Sequence, residues 1–402
     1  HAPFTNGYLP ARHTFDSPTK ASIAGLDVEF YPAPSDATDS ATVWFPQLKL
    51  AINNLLWPVL FNIFAIRGEE YRDPRVLIRG LDELAALKPH QLIGAHGPPI
   101  SGQADIHKCT LDYRDSIQFL WDQTVRCANR GMTLNEIIAA IELPAYFKQH
   151  YSTRQFYGVV EHHVRQIYTG LFGWFDEDEA NLFPLPAPER SKKLIAGFGG
   201  IDRVRQAVDK ALAADDYRWA IELASWLVRS ERNAQGRADA GAAEDRTRLA
   251  SGLRGVAYTT TAANIRNWCL TRALELDGST NLDRFRTHRL QKRELARRPA
   301  VDSVRQLRVL LEPKRTGDWH QTLQINFSDG GATTLTIRHG VAVPGADEQP
   351  NLTLTVSSEH WFDLLGGKLD LSRAIADGAV QSPDPDGVRV FLGCFDLQTL
   401  KN

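Results

Sequence analysis

Leu92-Ile-Gly-Ala-His-Gly-Pro-Pro99 is an apolar run, readable as a buried strand, that ends on a histidine. Glycine and two prolines follow at once and leave the chain little conformational freedom there. The pattern puts an imidazole at the rim of a sheet, where metal-binding and catalytic residues of layered α/β folds tend to sit. Upstream, Asn62-Ile-Phe-Ala-Ile-Arg-Gly-Glu-Glu-Tyr-Arg-Asp-Pro74 offers an amide and two arginines. A candidate metal ligand, His96, near candidate anion binders points to hydrolysis of a negatively charged ester. On the residues alone, His96 also reads as an ordinary loop histidine. Arg67 and Arg72 equally read as surface partners of Glu69, Glu70 or Asp73.

Around that stretch, residues 23–31 read as one strand followed by a Pro-rich turn, and residues 42–45 as the next strand. Residues 50–66 read as a core strand and helix, with Asn53, Asn54, Pro58 and Asn62 interrupting the apolar run. Asp73-Pro74 opens a helix through Leu77, Leu81, Leu84 and Leu87. Strand, helix, strand in that order indicates α/β architecture. From residue 104 to about 278 the periodicity is helical. Thr133 and Glu136 form a capping box, and residues 201–229 form two antiparallel helices with a turn like that of a tetratricopeptide hairpin. Residues 284–298 form a basic linker or solvated helix face. Beyond residue 300, two alternating strands flank Ser328-Asp-Gly-Gly331, a hairpin signal, with a third strand at 352–356 and helices around 360–365 and after 388. The expected domains are 1–103, 104–280 and 281–402.

The 402 residues allow two or three domains. Hydrophobic residues at 43% and charged residues at 23% are those of a globular protein with real cores. A net charge of −2 argues against nucleic acid as a partner, so anion chemistry must come from a local site. No apolar run is long enough for a membrane span. The four cysteines are scattered without C-x-x-C spacing and fix no compartment; Cys109 and Cys127, on helical patterns, read as buried thiols rather than ligands. A periplasmic or secreted location is the expectation. Residue 1 is His and the sole methionine is Met132, so the natural start is expected to lie upstream.

Five blocks carry a resemblance: Ile66-Arg-Gly-Glu-Glu-Tyr-Arg-Asp73, Tyr113-Arg-Asp-Ser-Ile-Gln118, Phe156-Tyr-Gly-Val-Val-Glu-His162, Leu171-Phe-Gly-Trp-Phe-Asp176 and Asp216-Tyr-Arg-Trp-Ala220. In this order they resemble the metallo-β-lactamase-fold alkylsulfatases, in particular a subgroup acting on secondary alkyl sulfates. The resemblance implies a multidomain chain. Its parts would be the C-terminal portion of a zinc hydrolase domain of the αββα type, a helical dimerisation domain, and a small α+β domain like sterol carrier protein 2. It implies two Zn²⁺ ions per intact protomer and cleavage of an alkyl sulfate to an alcohol and inorganic sulfate. The family's H-x-H-x-D-H motif has no match here, so the chain is expected to begin after it. By the same resemblance the remaining metal ligands are Asp36, Asn54 and His96, with Asn54 standing where glutamate is common. Asn62, Arg67 and Arg72 would bind the sulfate. His162 would act near it as a catalytic group, and the protein would be a homodimer. Two readings of other classes stand beside this one. The chain is a non-catalytic binding and dimerisation unit, or it belongs to another hydrolase of the fold, a lactonase or phosphodiesterase.

Overall fold

A computed structural model describes residues 9–60, 63, 70–234, 236–282 and 295–397. Two compact units divide after Thr280.

The first unit opens with six strands lying side by side in chain order: β1 (Thr19–Ile23), β2 (Leu26–Pro32), β3 (Ala41–Phe45), β4 (Leu50–Asn53), β5 (Gln91–Gly94) and β6 (Ile100–Ser101). Every neighbouring pair is antiparallel except β4 and β5. That parallel pair needs a crossover, and α1 (Pro74–Leu87) supplies it. The Asp73 carboxylate accepts the Arg75 N–H at 2.9 Å and caps α1, and Pro74 occupies its first turn without losing a hydrogen bond. Leu77, Leu81 and Leu84 then recur on one face and are buried.

Two local expectations are corrected. Residues 23–31 are not one strand. The chain reverses at Ala24-Gly25, both at positive φ (52° and 84°), and β1 folds back on β2 as a tight hairpin. Alternation alone does not register a two-residue reversal. After Asn53, residues 54–60 bend without forming a helix. Asn53 turns its side chain onto the Leu55 N–H (3.3 Å), and Pro58 has no N–H to give. The rest of the expected helix falls on residues 61, 62 and 64–66, outside the described residues, apart from Ile63.

Four helices continue from the sheet: α2 (Gln103–Ala128), α3 (Leu134–Ala140), α4 (Ala145–Gln149) and α5 (Val160–Phe172). The Thr133/Glu136 capping box starts α3. Leu92 of the sheet, Leu81 of α1, Ile117 of α2, Ile137 of α3 and Ile167 of α5 belong to one continuous core. A second core lies among α6 (Ala187–Gly197), α7 (Ile201–Ala213), α8 (Tyr217–Arg229), α9 (Ala243–Thr259) and α10 (Ala263–Leu276). At its edge Asp245, 2% exposed, receives Arg205 at 2.8 Å and Arg248 at 3.5 Å, so its charge is paired.

The second unit is a five-stranded sheet in the order β11-β10-β7-β8-β9: β7 (His320–Phe327), β8 (Ala332–Arg338), β9 (Val341–Pro344), β10 (Leu352–Val356) and β11 (Val380–Gln381). Only β7 and β10 are parallel. Helices α11 (Ala300–Val304), α12 (Ser358–Leu365), α13 (Leu371–Ala376) and α14 (Pro385–Gly393) complete it. Trp361 fills its core, with its indole N–H donated to Ser303 at 2.8 Å. Most of the basic linker, residues 283–294, lies outside the described residues.

Two stability predictions follow from α5. A Cβ at Gly170 would sit 2.3 Å from the Tyr71 ring, so the tyrosine needs glycine beneath it. Gly170→Ala is expected to destabilise by about 1–3 kcal/mol through overpacking. In a Tyr71→Ala background the same change becomes neutral or favourable, because alanine is the better helix former. Urea unfolding of the four proteins of this cycle measures the coupling. His163 is fully buried, and desolvation first, then the neighbouring His162, pushes its pKa down to about 3. The unfolded imidazole binds a proton near its ordinary value, while the folded one does not. Stability is therefore full above about pH 6.5 and falls with decreasing pH, at up to about 1.4 kcal/mol per pH unit, until the folded pKa is reached. Denaturant titrations from pH 7 to 5 should show that slope, and His163→Phe should flatten it.

Candidate functional site

The sheet topology decides what meets at its rim. β2, β4 and β5 run in the same direction, since β2 and β4 are both antiparallel to β3 and β4 is parallel to β5. Asp36 follows β2, Asn54 follows β4 and His96 follows β5, so the three expected metal ligands lie at one end of the sheet. The parallel register pairs Asn53 with Gly94, and the Ala95 N–H continues the ladder to the Asn53 carbonyl at 2.9 Å.

Asp36 and Asn54 touch. The Asn54 amide donates to the Asp36 carboxylate, and Ser35 Oγ donates to the same oxygen at 3.2 Å and to Ser40 at 2.9 Å, which fixes the β2–β3 loop. With its N–H₂ turned to Asp36, Asn54 leaves its Oδ1 buried and without a hydrogen-bond partner. A buried acceptor in that state costs about 1–3 kcal/mol unless a donor or a cation takes it.

Trp57 joins this pair to His96. Its indole N–H donates to the Asn54 carbonyl at 3.0 Å, and its ring lies 4.2 Å from the His96 ring. Tyr157 also packs against the indole, with ring centroids 5.7 Å apart. His96 itself is exposed. The turn that carries it requires glycine at 94, where a Cβ would stand 2.9 Å from the His96 carbonyl and 3.4 Å from that of Leu56. His96, Trp57, Leu56, Leu92 and Ser152 border a cavity of about 40 Å³.

Arg72 is buried just before α1. The adjacent Asp73 is taken up by Arg75, whose guanidinium reaches it at 2.7 Å. Asn62 and Arg67 lie outside the described residues. His162 stands in the first turn of α5 and lines a wider cleft of about 1030 Å³ among α3, α5, α8 and α9, which His96 does not line. Burial pushes its pKa down, opposed by Glu161. Glu161 is held by Arg218 at 2.9 Å.

The donors suit a divalent cation: a carboxylate, an imidazole and an orphaned amide oxygen at one rim. Among the described residues no three His, Cys, Asp or Glu side chains converge as a complete site. Asp36, Asn54 and His96 therefore stand at one rim as donors without forming a complete site. The sequence reading singles out these three, and Trp57 is a residue it does not connect with them. Nothing in the spacing of 54, 57 and 96 shows that one indole bridges them.

Comparison with known proteins places the chain among relatives. Residues 133–279 match the alkyl sulfatase dimerisation family, and residues 291–381 the SCP-2 sterol transfer family. A linear primary-alkylsulfatase of a Pseudomonas strain is 32% identical over 97% of this chain and 75% of its own length. An (R)-specific secondary-alkylsulfatase of Pseudomonas is 28% identical over 96% of this chain and 57% of its own. The solved structure of the stereoselective inverting sec-alkylsulfatase Pisa1 from Pseudomonas superposes with a TM-score of 0.77 at 25% identity, covering 95% of this chain and 60% of that one. The chain thus spans three quarters of the first relative and less than two thirds of the other two. Its sheet, helical and C-terminal parts run in the same order as theirs, and it belongs to the alkylsulfatase family.

Proposed function

We propose that the intact protein hydrolyses alkyl sulfate esters to an alcohol and inorganic sulfate with the help of Zn²⁺. One observation carries this reading: Asp36, Asn54 and His96 end three co-directional strands at one rim, and Asn54 presents a buried, unsatisfied oxygen there. These three side chains would hold the metal as part of its ligand set. Bound zinc supplies an acidified water and positive charge against an oxyanion.

The chain's own residues supply the rest. Arg72, with Asn62 and Arg67 by sequence, would grip the sulfate, since a guanidinium is always charged and offers paired donors to an oxyanion. Trp57, buried against His96, keeps water from the back of the imidazole and fixes its ring. His162, held neutral by burial, is proposed to donate a hydrogen bond to the sulfate group. That role needs the substrate to reach the helical cleft. The match to the dimerisation family supports a homodimer. The connector after α5 carries exposed Trp174 (72%) and Phe183 (91%), apolar surface suited to such an interface.

Ion chromatography of sulfate released from a secondary alkyl sulfate tests the activity. Arg72→Ala is expected to lower kcat/KM by about 10- to 100-fold with metal content unchanged. His96→Ala should lower zinc per protomer, read by mass spectrometry of the metal independently of turnover. Faster turnover of a lactone or a bis-aryl phosphate than of the alkyl sulfate would overturn the sulfatase reading. Sedimentation velocity of Phe183→Asp tests the interface, with a shift towards monomer expected.

A further inference from the structure

Position 54 bears on how many cations the rim can hold. Two-metal hydrolases set their ions roughly 3.5–4 Å apart. At that spacing two divalent cations repel strongly. An anionic side chain placed between them, with one oxygen on each, offsets the repulsion. Such a bridge needs a negative charge and two free oxygens on one side chain.

Neither Asp36 nor Asn54 meets both conditions. Asp36 Oδ1 already accepts from the Asn54 amide and from Ser35 Oγ at 3.2 Å. A carboxylate oxygen offers two lone-pair sites, so both are taken and Oδ2 alone is left for a cation. Asn54 is neutral and has a single oxygen. Its N–H₂ faces Asp36 because the reverse orientation would press an amide oxygen against a carboxylate. The Asn54 Oδ1 is therefore the one that stays buried and without a hydrogen-bond partner. Both residues are also held from behind. Ser35 ties its loop to Ser40 at 2.9 Å. The Trp57 indole holds the Asn54 carbonyl at 3.0 Å, and Asn53 holds the Leu55 N–H at 3.3 Å. Two fixed side chains with one available oxygen each, and one negative charge between them, suit a single cation.

We infer that the intact protein holds one divalent cation at this rim, not the two that the resemblance implies. Asp36 Oδ2, Asn54 Oδ1 and the His96 imidazole are this chain's donors to it. The hydrogen bond from Asn54 to Asp36 joins the two side chains directly, where a glutamate would repel Asp36 unless a second cation lay between them. The inference rests on the zinc hydrolase reading above and narrows it to a site with one ion.

The test counts zinc per protomer in the intact protein by mass spectrometry of the metal, after equilibrium dialysis against buffered free Zn²⁺. One equivalent is expected in the wild type. Asn54→Asp keeps the size of the side chain, removes the amide donor and adds a charge, and it should raise the count from one to two. Asn54→Glu should do the same and serves where the shorter variant folds poorly. Thermal melting gives a second readout. Without metal, Asn54→Asp sets two carboxylates against each other and should melt below the wild type. Saturating zinc should then raise its melting temperature by more than it raises that of the wild type. Two equivalents in the wild type overturn the proposal. So does a count of one in both folded variants, since the amide would then not be what limits the site. No zinc in any of the proteins is a different result and sinks the zinc hydrolase reading itself. The wild-type count decides the matter even if neither variant folds.

Discussion

Parallel pairing of β4 with β5 fixes where the chemistry can be. In an antiparallel pair, the residues following two neighbouring strands emerge at opposite ends. In the parallel pair Asn53–Gly94 they emerge together, so Asn54 and His96 share a rim although 41 residues and a helix separate them in the chain. The crossover through α1 is what makes that pairing possible. Leu77, Leu81 and Leu84 hold the helix in the core, and Gly80 leaves room for Leu55, whose Cδ1 would lie 2.7 Å from a Cβ at position 80. Burial of one helix face thus sets the position of two candidate ligands.

Trp57 makes this arrangement more rigid than the backbone alone would. Its indole donates to the Asn54 carbonyl, packs at a tilt against His96 and meets Tyr157. The Leu60 N–H adds a tie to the Arg154 carbonyl at 3.0 Å. The sheet rim and the 151–157 segment are therefore held by the same few contacts. For that reason an imidazole on β5 and a hydroxyl in the 151–153 turn open on one cavity.

The architecture was largely legible in the sequence, and for identifiable reasons. Asp73-Pro74, the leucine spacing after it and the Thr133/Glu136 pair are local signals, and each became the expected helix start. The Ser328-Asp-Gly-Gly331 hairpin likewise joins β7 to β8. What escaped depends on contacts between distant residues or on features too short for periodicity. The Ala24-Gly25 reversal, β9, β11 and α13 are of the second kind. The link from Asn54 to His96 through Trp57, and the contacts of His150 with Ser152 and Asp112, are of the first. His150 and Ser152 are unremarkable in sequence, and only the packing of α2 beside their turn gives them a carboxylate.

The amide at position 54 also bears on which substrate the rim favours. Under the proposed metal binding, Asp36 and His96 together would bring a single negative charge to a divalent cation, and Asn54 would add a dipole where glutamate would add a second charge. A rim with fewer anionic ligands would stay more positive, and the chain as a whole, at −2, has no net positive charge to add to it. On the proposed reading, an anionic ester would be attracted by the local centre and by Arg72, while the long-range field of the protein would contribute little.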